Sequence, residues 1–113
     1  MARPVRLIVP GEAHLLSQHG HNGQPVFKDD DDRRRYLDDL REVCAVNHVA
    51  LHAYALLDDQ VYLLATPATP DGLSRLMQGV GRRYVVWHNR RHGRSGTLWE
   101  GRFRAVVIDP AEH

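Results

Sequence analysis

"LHAYALLDDQVYLLATP", residues 51–67, decides the fold. Apolar and polar positions alternate on both sides of Asp58-Asp59, which predicts two antiparallel strands, 49–57 and 60–67, joined by a tight turn. In the first, Val49, Leu51, Ala53, Ala55 and Leu57 point one way, and His52, Tyr54 and Leu56 the other. In the second, Gln60 and Tyr62 share a face although the surrounding frame is apolar.

Working outward, residues 12–19 predict a first strand, followed by the turn-rich "GHNGQPV". The next segment opens with Asp29–Asp32 and continues with Tyr36, Leu37, Leu40, Val43 and Cys44 at helical spacing on one face. The acidic run supplies an N-cap and complements the positive end of the helix dipole, which explains it better than a cation site does. Residues 72–92 form a second helix with Leu73, Leu76, Met77, Val80, Tyr84 and Trp87 as its apolar stripe. Gly79 and Gly81 weaken that helix unless another backbone passes close by. A Gly-rich turn, an exposed aromatic at Trp99 and a last strand at about 103–108 complete the order strand, helix, strand, strand, helix, strand. That order is the α+β ferredoxin-like βαββαβ arrangement, an antiparallel sheet with two helices on one face.

A chain of 113 residues is expected to be one domain, 1–113. Its single cysteine, Cys44, excludes a disulfide framework and suits a cytoplasmic setting. No run is apolar enough for a membrane span, and "MARPVRLIVPGE" reads as no signal peptide. The net charge of +1 hides an asymmetry: residues 1–62 hold seven basic and ten acidic side chains, residues 63–113 eight and four. All eight basic residues of the second part are Arg, the side chain suited to bidentate phosphate contact and to stacking on bases. A codon bias towards Arg explains the composition equally well.

Three groups carry potential chemistry. His88 and His92 lie at i, i+4, but "HNRRH" lacks the glutamate of a zinc-protease helix, and the pair reads as a solvated basic helix end. His14, His19 and His21 cluster near the first strand but span a turn, which makes them an equally weak metal set. Arg82, Arg83, Arg90, Arg91, Arg94, Arg102 and Arg104, interleaved with Trp99 and Phe103, combine backbone neutralisation with base stacking and form the candidate nucleic-acid-binding surface, the alternative being a solvated basic face.

Taken in order, "PVFKDDDDRRRYLDDLREV", "LHAYALLDDQVYLLATP" and "DGLSRLMQGVGRRYVVWHNRRHGRSGTLWEGRFRAVVID" resemble the REP-associated tyrosine transposases and related insertion-sequence transposases of the HUH superfamily. The resemblance covers nearly all of residues 12–109, with "GTLWEGRFRA" and the Asn-Arg-Arg-His-Gly run its most specific pieces. It implies a ferredoxin-like fold, a homodimer, recognition of hairpin or single-stranded DNA, and strand cleavage by a tyrosine assisted by Mg²⁺ or Mn²⁺.

Where the family reads Met-Pro-Asn-His-x-His-Leu-Leu, this chain has Leu57, Asp58, Asp59, Gln60, Val61 and Tyr62, so both metal-binding histidines are replaced. Gln60 offers a carbonyl oxygen, and Asp58 and Asp59 are hard oxygen donors, but the phenol of Tyr62 must lose its proton to ligate. The family's Tyr-Ile-x-x-Asn-Pro motif does not occur before "IDPAEH", which leads to the expectation of a domain incomplete relative to the family. The resemblance therefore implies DNA binding without cleavage. Two alternatives stand beside it: a metal-dependent tyrosine nuclease using Gln60 with Asp58 or Asp59, and a regulatory or ligand-binding module on the same fold.

Overall fold

The computed structural model describes residues 7–108. Strand β1 is His14–His19, helix α1 Asp30–Val46, strand β2 Val49–Leu56, strand β3 Gln60–Pro67, helix α2 Gly72–His92 and strand β4 Arg104–Val107. The sheet order is β2-β3-β1-β4, and every neighbouring pair is antiparallel. The expected βαββαβ arrangement is therefore present; the outer ends of the expected 1–113 domain lie outside the described residues.

Asp58-Asp59 turns the chain without a glycine because its carbonyls are put to use. Leu57 N–H donates to the Gln60 carbonyl at 2.9 Å, closing the turn. The Asp58 carbonyl accepts from Val26 and Phe27, and the Asp59 carbonyl from Gly20 at 2.8 Å. The segment after β1 thus pins the hairpin and satisfies backbone groups that would otherwise be orphaned.

Along β3, Val61, Leu63, Ala65 and Pro67 are buried against the helices, whereas Gln60, Tyr62, Leu64 and Thr66 stand half-buried on the helix-free face. In β2 the expected alternation fails midway. The register shifts between Leu51 and Ala53, so the bulge absorbs His52. Beyond it Tyr54 pairs with Leu63 and Leu56 with Val61, which puts them on the helix side and turns Ala53 and Ala55 to the open face. The bulged His52 ring hydrogen-bonds the Thr66 hydroxyl at 2.7 Å.

Helix α1 starts as expected: the Asp29 carboxylate accepts from Asp32 N–H at 3.0 Å. Tyr36, Leu40, Val43 and Cys44 are buried, and burial pushes the Cys44 thiol up to about 11. Helix α2 buries Leu73, Leu76, Met77, Val80 and Tyr84, and ends on Gly93 in the left-handed conformation at φ 60°. Where the helices meet, a Cβ on Gly79 would lie 2.9 Å from Val43 Cγ1, so this glycine permits their close approach. Phe27, Tyr36, Tyr84 and Trp99 form one aromatic cluster with centroid separations of 5.3–6.5 Å.

Candidate nucleic-acid interface and a buried polar cluster

On the helix-free face, strand register fixes what surrounds Gln60 and Tyr62. His19 sits opposite Gln60, Ser17 opposite Tyr62, and Ser17 also opposite Arg104 on the other side. The Tyr62 hydroxyl donates to Gln60 Oε1, so the two residues are spent on each other. Asp58 Oδ1 is held by Arg33 at 2.6 Å. Among the described residues, neither Asp58 nor Asp59 joins two other carboxylate, imidazole or thiol groups in a cluster. A neutral amide oxygen that is already accepting a bond, beside a protonated phenol, does not fit a divalent cation.

The expected basic surface divides in two. Arg91 clamps Asp29 at 2.7 and 2.8 Å and reaches Asp32 at 2.6 Å. Arg83 pairs with Glu42 at 2.7 Å, and Arg94 donates to Asn89, Gln24 and the Thr97 carbonyl. Among the described residues, Arg82, Arg90, Arg102 and Arg104 hold no acidic partner. Arg82 and Arg102 line adjoining recesses that share Gln78. Arg90 stands near the C-terminal end of α2, and Arg104 lies on the open sheet face.

Trp99 and Phe103 do not serve as exposed stacking platforms. Each is only 8% exposed, and both belong to the core with Leu98. Long-range backbone bonds put Trp99 there: Glu100 N–H donates to the His19 carbonyl at 2.8 Å, His21 N–H to the Leu98 carbonyl at 2.9 Å, and Gly20 bridges Trp99. A Cβ on Gly20 would strike the Gln24 carbonyl at 2.1 Å, so glycine is required for the tight turn that follows β1. Glu100 closes the contact on His21 at 3.2 Å, and that bond holds its carboxyl below the usual range.

The histidines fall into two groups. His14 is fully buried: its Nε2 accepts from Val9 N–H at 3.1 Å, so its Nδ1–H donates to the Glu12 carbonyl at 2.7 Å. It is a satisfied core histidine facing the helices, while His19 lies exposed across the sheet, so the His14, His19 and His21 trio does not converge. His88 and His92 are not a solvated helix end either. His88 is wholly buried and His92 nearly so, and both face Asp32, itself 0% exposed. His92 Nε2–H donates to the two Asp32 oxygens at 3.0 and 2.9 Å. Lys28 N–H adds a bond to Asp32 Oδ2 at 2.9 Å. Burial raises the Asp32 pKa, but the bonds from Lys28, Arg91 and His92 outweigh it and the net shift is downward. Burial depresses His88 to about 4, against the pull of Asp32, so it is neutral at pH 7. Neither of its ring nitrogens has a hydrogen-bond partner.

Sequence spacing did carry this cluster. His88 follows Tyr84 by four on the buried stripe of α2, and Asp32 precedes Tyr36 by four on that of α1. The arginines around His88 masked the signal.

No protein-family model matches this sequence, and neither does any curated protein. Solved structures do. A REP-associated tyrosine transposase bound to a REP hairpin superposes with a TM-score of 0.76 at 12% identity, over 99% of this chain and 65% of that one. A Deinococcus radiodurans R1 protein classed as a transposase gives 0.64 at 23% identity, over 99% of this chain and 89% of its own. At these identities the likeness is one of fold, and it agrees with the transposase resemblance of the sequence. The chain spans 65% of the length of the hairpin-bound transposase.

Proposed function

We propose that this chain is a DNA-binding domain of the tyrosine-transposase kind that recognises hairpin or single-stranded DNA and does not cleave it. The observation that carries the reading is the fold likeness to a transposase caught on a DNA hairpin. Arg82, Arg90, Arg102 and Arg104 support it as cations free to meet phosphate. The mutual bond of Tyr62 and Gln60 supports the absence of cleavage, because it occupies the amide oxygen that would hold a metal ion against a phosphate.

A homodimer belongs to the same proposal. Leu15 and Val106 lie side by side on the helix-free face, 42% and 60% exposed, and provide apolar area for a second copy. A cytoplasmic location goes with it too; among the described residues no helix is long and apolar enough to cross a membrane.

The test is fluorescence anisotropy with a labelled DNA hairpin carrying a single-stranded tail. Binding that weakens with salt and exceeds that for a blunt duplex supports the reading. No binding at about 50 mM salt with protein up to about 100 µM would remove it, since even non-specific association falls within that range.

A further inference from the structure

We propose that Asp32, His88 and His92 form a site for a divalent transition-metal cation of the Zn²⁺ class, which braces the start of α1 against the end of α2. One ring nitrogen from each imidazole and one Asp32 oxygen lie within 4.8 Å of one another. The site is on the helix side of the sheet, away from Gln60 and Tyr62.

Four observations carry it. First, His88 is fully buried with both nitrogens unpartnered, although leaving a buried polar atom unsatisfied costs about 1–3 kcal/mol. Its Nδ1 stands 3.7 Å from Asp32 Oδ2, too far for a hydrogen bond. Second, a tetrahedral zinc with ligand bonds of about 2.0–2.1 Å separates its ligands by roughly 3.4 Å, so small side-chain rotations close the site. Third, the two rings come from consecutive turns of α2 with centroids 4.5 Å apart, which presents them together. Fourth, two imidazoles and one carboxylate suit zinc, cobalt or nickel rather than magnesium or calcium.

The neighbouring charges divide the work. Arg91 lies against Asp32 Oδ1 at 2.6 Å and opposes a dication. Asp29 holds that guanidinium from its far side and offsets its charge. Asp32 Oδ2 is the oxygen that faces both imidazoles. Without metal, the Nε2–H of His92 bonded to Asp32 holds the cluster together; a metal at Nε2 takes that proton's place, and the proton moves to Nδ1 of the same ring. A water completes the coordination.

The experiment uses the full chain, stripped with a chelator and titrated with Co²⁺, then Zn²⁺. The expected result is one equivalent of Co²⁺ per chain with tetrahedral visible absorption, displacement by Zn²⁺, and a thermal midpoint that rises with zinc concentration. His88→Phe keeps an apolar ring of similar size, and His92→Gln keeps a polar side chain at the cluster's rim; each is expected to weaken zinc binding at least about tenfold. Circular dichroism checks that each folds, and the wild-type cobalt spectrum stands independently of both. Absence of one-equivalent binding in the wild type, or unchanged affinity in both variants, overturns the site. Either result leaves the DNA reading untouched.

Discussion

Salt dependence gives the sharpest quantitative handle on the basic surface. Arg82, Arg90, Arg102 and Arg104 have no acidic partner among the described residues, whereas Arg75, Arg83 and Arg91 are paired and Arg94 is hydrogen-bonded within the fold. If the four free side chains each neutralise one phosphate of a single strand, log K falls against log salt with a slope of about −2.8. Raising salt from about 50 to about 200 mM then weakens binding roughly 50-fold. Replacing any one of the four with Ala is expected to flatten the slope by about 0.7, and the same salt step then costs only roughly 20-fold. Arg83→Ala is the control: its guanidinium is engaged with Glu42, so the slope is expected to stay near the wild-type value. Anisotropy titrations at four or more salt concentrations read this directly. A slope shallower than about −1, or single-arginine variants indistinguishable from wild type, would refute the assignment of these four as phosphate contacts.

Other outcomes follow from the packing. Trp99→Ala removes a core side chain and is expected to destabilise the fold by about 3–5 kcal/mol in urea denaturation; a stable variant that merely lost DNA binding would restore the stacking role. Gly79→Ala sets a Cβ 2.9 Å from Val43 Cγ1, and despite the better helix propensity of Ala a net loss of roughly 1 kcal/mol is expected; Val43→Ala in the same chain relieves it, so a double-mutant cycle shows positive coupling. His88 titrates at about 4 in the fold, below its ordinary value near 6.5, so the unfolded chain binds the proton first on acidification. Its contribution is complete above about 6.5 and declines as pH falls towards 4, by roughly 2–3 kcal/mol in the metal-free protein. His88→Phe is expected to flatten that stretch of the stability–pH curve, and an unchanged curve would show that His88 is not its source.

What was legible in the sequence is what short-range period encodes. The hairpin at 49–67 and both helices follow from alternation and helical spacing, and the Asp29 cap from the acid run before the stripe. The bulge at His52 was not legible, because Ala53 and Ala55 tolerate either face and give no signal when the register slips. Trp99 read as an exposed aromatic because its burial depends on backbone bonds from its neighbours Leu98 and Glu100 to His21 and His19, nearly eighty residues earlier. The arginines looked equivalent in the sequence; only the fold, by bringing Asp29 and Asp32 to Arg91 and Glu42 to Arg83, separates structural cations from free ones. At His88 and His92 the helical spacing pointed inward, but the local charge pointed outward, and the packing of α1 against α2 decided for the interior.

The central claim, binding of structured single-stranded DNA without cleavage, is tested by one incubation. The chain is mixed with an end-labelled hairpin and Mn²⁺, and the mixture is run on native and denaturing gels side by side. The account expects a retarded band on the native gel, and on the denaturing gel an intact strand free of protein. A shortened strand or a covalent protein–DNA band would contradict the loss of cleavage, and an unshifted hairpin would contradict the binding.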